Sequence, residues 1–87
     1  MSDEEYDEIL KEVAKSAADT GSAASQVVRF SKRIAQLTVH LRQNPKDFSC
    51  ERGLKKLTAR RRRQLDFLKQ SDLNAYARLV ARLKLRR

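Results

Sequence analysis

Eighty-seven residues, 40% hydrophobic and only 6% aromatic, supply one thin-cored domain and too little apolar bulk for a deep, lidded pocket. Residues 1–19 carry seven acids and two lysines, a balance of −5, while residues 20–87 carry four acids and eighteen basic side chains, a balance of +14. That charge exceeds what solubility asks of a small domain and points to a polyanionic partner, a nucleic acid ahead of an anionic membrane surface.

The first predicted element is a helix over about Asp3 to Ala18, with Tyr6, Ile9, Leu10, Val13 and Ala17 at helical spacing. Its acidic start, Ser2-Asp3-Glu4-Glu5, fits neither a secretory signal nor a transit peptide. Asp19-Thr20-Gly21-Ser22 breaks the pattern. A second helix runs from about Ala23 to Gln43, with Val27, Phe30, Ile34, Leu37 and Leu41 as its stripe. Asn44-Pro45-Lys46-Asp47 signals a turn. The third helix runs from about Cys50 to Lys69, with Ser49 as an N-cap and Leu54, Leu57, Leu65 and Leu68 facing the core. Gly53, near its start, either permits a close backbone approach or is simply tolerated. Asp72 caps a fourth helix, in which Leu73, Tyr76, Leu79, Val80 and Leu83 repeat. The fold class is therefore all-α: four helices, three in an antiparallel bundle joined by short connections, plus a more loosely attached N-terminal helix. All 87 residues form one domain, an acidic helix over 1–18 and a basic body over 19–87.

Four consecutive arginines, Arg60 to Arg63, interrupt the third helix. At about 100° per residue they point around nearly its whole circumference. Arg61 falls in the leucine stripe, so it must snorkel outward or meet a carboxylate. Phe67 falls about 140° from Leu54, among Lys56, Arg60 and Arg63. An exposed ring among cations suits RNA, the charges holding phosphates while the ring stacks on a sugar or base. The competing reading is that Phe67 covers the core's edge or meets the first helix.

His40 shares a polar face of the second helix with Arg29, Arg33 and Gln36. It precedes the turn that gathers Lys46, Asp47, Ser49 and Arg52. A carboxylate repels phosphate, so Asp47 at an RNA surface would accept a hydrogen bond from a guanine amino group in the minor groove. Capping the third helix is its alternative role, and the two are compatible. Catalysis has no support: one cysteine and one histidine give no disulfide and no paired metal ligands, and there is no Walker-type glycine loop. No cofactor, metal or small-molecule substrate is expected.

From Asp19 to Arg87 the chain resembles small-subunit ribosomal protein fifteen of the bacterial and organellar type. The resemblance is carried, in order, by Asp19-Thr20-Gly21-Ser22 with Gln26-Val27, Ile34..Leu37..His40-Leu41, and Lys46-Asp47. It continues through Arg52-Gly53-Leu54..Leu57, Arg61-Arg62..Leu65-Asp66-Phe67-Leu68-Lys69, Asp72...Tyr76..Leu79 and Arg82-Leu83-Lys84-Leu85-Arg86-Arg87. The resemblance implies a four-helix protein that binds small-subunit rRNA at a three-way junction of the central domain and at a nearby minor-groove site. It also implies neighbouring ribosomal proteins, a bridge to large-subunit rRNA and repression of the protein's own mRNA as further roles. The expected location is the ribosome of a bacterial cytoplasm or of an organelle, without a membrane partner.

Carried over by position, the junction contacts fall on Thr20, Gly21, Gln26 and Phe67, with Arg63 nearby; Arg60 joins the RNA-binding residues from its place on the basic face. The minor-groove contacts fall on His40 and Asp47, with Lys46, Ser49, Cys50 and Arg52 around them. The chain departs from the family pattern at Phe48-Ser49-Cys50, where a histidine pair and a serine are usual. Cys50 occupies the serine position, and Ser49 is the alternative hydroxyl. Phe67 replaces a tyrosine, Gln70 a basic residue, Lys84 a glycine, and Ala23-Ala24-Ser25 a more polar run. The rival to the rRNA role is a general basic helical module that reads duplex shape.

Overall fold

The computed structural model describes residues 3–15 and 21–83. They form four helices: α1 (Asp3–Lys15), α2 (Gly21–Gln43), α3 (Phe48–Ser71) and α4 (Leu73–Leu83). The helices carry the bundle that the apolar spacing predicts. Ala17, placed in the first apolar stripe, and Thr20 lie outside the described residues.

The helix ends correct the expected boundaries. The second helix starts at Gly21, two residues earlier than expected, and the third spans Phe48–Ser71 instead of Cys50–Lys69. Asp47, not Ser49, is the N-cap of α3, its Oδ1 accepting the Cys50 backbone N–H at 3.0 Å. A carboxylate just outside the helix, three residues ahead of the N–H it accepts, caps better than a serine already inside the helix. Asp72 alone separates α3 from α4. Its N–H closes α3 on the Leu68 carbonyl at 2.7 Å, and its Oδ1 caps α4 through the Ala75 N–H at 3.1 Å.

Helix α2 is the centre of the molecule. Val27 and Val28 are fully buried beside Ala23 and Ala24. They meet Ile9 of α1, Leu68 of α3, and Leu79 and Leu83 of α4 in one cluster. A single stripe beginning at Val27 misses Val28 and the two alanines, because α2 packs against neighbours on more than one side. The small side chains let those neighbours approach its N-terminal half. Leu73, assigned to the α4 stripe, is instead 60% exposed. It is the first residue of its helix, and the fully buried residues of α4 begin only at Leu79.

Helix α1 adds Ile9 to the core, with Tyr6, Leu10 and Val13 half-buried around it. Its acids meet cations of the body: Asp7 pairs with Lys32 at 3.1 Å and Glu12 with Arg82 at 2.9 Å. Arg61 is half-buried, as its position among the leucines demands. Burial pushes its guanidinium below the ordinary value, and the opposing influence is the Tyr6 phenol of α1.

Candidate nucleic-acid interface

The α2–α3 hairpin sets the geometry of the candidate site. Cys50 Sγ lies 3.9 Å from the Leu37 carbonyl near the turn, and Val27 and Leu68 share the core cluster at the far end. The two helices therefore run antiparallel. Between them lies an open groove of about 460 Å³, lined by Arg33 and Leu37 of α2 and by Ser49, Cys50, Gly53, Lys56, Leu57 and Arg60 of α3, with Asp47 at its end. A Cβ built on Gly53 meets nothing within 4 Å. The helix therefore tolerates this glycine; no neighbouring backbone requires it.

At the turn end, His40 Nε2 and Asp47 Oδ2 are 2.9 Å apart. The other carboxylate oxygen is the α3 cap. The Cys50 N–H, followed by the His40 ring, holds the Asp47 carboxyl below its ordinary value of 3.8, so it is ionised at neutral pH. Both side chains remain partly exposed, His40 at 48% and Asp47 at 37%. Arg52 donates weakly to Ser49 Oγ at 3.4 Å, while Lys46 is exposed. Cys50 is a free, half-buried thiol beside this pair. One sulfur, one carboxylate oxygen and one ring nitrogen lie within 4.8 Å of one another. Counting cysteine and histidine alone missed this cluster, because Asp47 supplies the third donor only once the hairpin closes.

At the opposite end stands Phe67, 51% exposed although Leu68 beside it is fully buried. Helical projection anticipates this split. Gln26, half-buried, adjoins Val27 just as Phe67 adjoins Leu68, so both belong to the same end of the hairpin. Gly21 is the first residue of α2, and Thr20 lies outside the described residues. Arg60 and Arg63 are exposed and make no ion pair among the described residues. From Asp47 to Phe67 is twenty residues, roughly 30 Å along a helix, so the candidate residues form two groups joined by a basic stretch.

Among the described residues no helix is long and apolar enough to cross a membrane. The fold and its charge define a small basic helical module, without a catalytic constellation among the described residues. A model of the family described as ribosomal protein S15 matches residues 6–86. The small ribosomal subunit protein uS15 of Porphyromonas gingivalis is 49% identical over 80 residues, covering 92% of this chain and 90% of that protein. Its counterpart in Cytophaga hutchinsonii is 48% identical over 86 residues, covering 92% and 94%. That of Chlorobaculum parvum is 45% identical over 87 residues, covering 100% and 98%. The chain belongs to the ribosomal protein S15 family, and it is a structural protein, not an enzyme.

Proposed function

We propose that this protein is a structural constituent of the small ribosomal subunit that binds rRNA early and organises a three-way junction of the central domain. The observation that carries this is the α2–α3 face. Arg33, Lys56 and Arg60 line its groove and exposed Arg63 follows on α3, all without ion pairs among the described residues, between an exposed aromatic ring and the His40–Asp47 pair. The unpaired cations are positioned for phosphates. The ring offers a stacking platform. The ionised Asp47, useless toward phosphate, is an acceptor for a guanine amino group in the minor groove, with His40 beside it.

In this reading Thr20, Gly21, Gln26, Arg63 and Phe67 serve the junction. His40, Asp47, Lys46, Arg52 and either Ser49 or Cys50 serve the minor groove. Neighbouring small-subunit proteins, a bridge to large-subunit rRNA and the protein's own mRNA are further partners of the same reading. The location is the ribosome, in a bacterial cytoplasm or an organelle. The test is filter binding of the purified protein to a central-domain junction RNA against a plain duplex of equal length. Preference for the junction supports the proposal. Equal affinity for both would favour a general duplex-shape reader.

A further inference from the structure

We propose that His40, Asp47 and Cys50 form a binding site for a thiophilic divalent cation of the zinc type at the α2–α3 turn. The donors come from two helices and the turn between them, and their ligand atoms already lie within 4.8 Å of one another. Neighbouring ligand atoms around tetrahedral zinc are roughly 3.3–3.6 Å apart, given bonds of about 2.0–2.3 Å. The cluster therefore needs to contract by about one ångström on its longest edge. The 2.9 Å contact between the imidazole and Asp47 Oδ2 must open slightly. The Cys50 side chain is the one least held against such a change, because its sulfur makes only a weak 3.9 Å contact with the Leu37 carbonyl.

The donor set suits the ion. Sulfur with imidazole and carboxylate is a zinc-like combination, and three protein ligands leave the fourth position to water. Asp47 uses Oδ1 for the helix cap, which orients the carboxylate and leaves Oδ2 to the metal. Charge also balances. Coordination releases the Cys50 thiol proton to solvent, and thiolate plus carboxylate then neutralise the dication. That matters because Arg33, Lys56 and Arg60 line the same groove and would repel an uncompensated cation. The site shares His40 and Asp47 with the proposed RNA surface, so metal and RNA exclude each other there. The test below contains no RNA, and its failure leaves the RNA reading intact.

The experiment is a cobalt(II) titration of the full-length protein, kept reduced with a phosphine. The expected result is a thiolate-to-cobalt charge-transfer absorption that saturates at one ion per chain and is erased by added zinc. Cys50→Ser should abolish the band. His40→Ala should weaken binding by about tenfold or more. Asp47→Asn, which preserves a capping acceptor, should also weaken it while circular dichroism stays unchanged. No saturable band would overturn the proposal. So would a band of unchanged affinity in both His40→Ala and Asp47→Asn, because the metal would then be an adventitious thiol ligand only.

Discussion

The Phe67 ring stands half in water one residue from the fully buried Leu68. If it stacks on RNA, Phe67→Ala should weaken rRNA binding by about 1–3 kcal/mol. Little stability should be lost, because the ring is not part of the core cluster. Chemical denaturation beside filter binding separates the two quantities, and a loss confined to stability would return the ring to the core's edge. Asp47 makes a different prediction. Its folded carboxyl lies below the ordinary 3.8 because the charged form accepts the Cys50 N–H and faces His40. Its contribution is therefore present in full above the unfolded value and is lost as pH falls through the lower folded one. Asp47→Asn keeps a cap but has no charge to lose. Thermal melts across acid pH should show the wild type losing ground against that variant only below about pH 4.

Among the elements, α1 is acidic where the rest is basic, and two of its acids pair with the protein's own cations, Asp7 with Lys32 and Glu12 with Arg82. Its apolar side covers the α2 valines through Ile9. Deleting residues 1–18 should therefore lower the melting temperature substantially while leaving the RNA affinity of the folded fraction unchanged. An affinity loss of tenfold in a truncation that still melts cooperatively would show that α1 touches RNA. Much of this was legible beforehand. Ile9, Leu10 and Val13 mark the packing face of α1 by spacing alone, and Asp72 announces the start of α4. Other features depend on what a helix meets. Val28 is buried because α2 has neighbours on more than one side, and a one-stripe projection carries no information about a second neighbour. Asp47 displaced Ser49 as cap because helix ends are decided by competition among adjacent polar side chains, which spacing does not rank.

Across the whole molecule, the site splits the same way. Projection placed Phe67 among arginines and His40 on a polar face, since each statement concerns one helix. The 2.9 Å His40–Asp47 contact and the approach of Cys50 depend on how α2 and α3 close on each other. The net +14 of residues 20–87 makes an ensemble prediction. If about six phosphates are neutralised, log affinity should fall against log salt with a slope of roughly −4 to −5. Phe67→Ala should leave that slope alone, and Arg63→Ala should make it shallower. A slope near zero, measured by filter binding over a salt series, would mean that the charge plays no part in binding.

Hydroxyl-radical footprinting of small-subunit rRNA with the wild type, Phe67→Ala and His40→Ala tests the central claim most directly. The two ends of the hairpin are roughly 30 Å apart, so the wild type should protect two separate patches, one at a helical junction and one along a minor groove. Phe67→Ala should lose the junction patch first and His40→Ala the minor-groove patch first. The account would be contradicted if the wild type protected no discrete site, or if both variants left both patches intact.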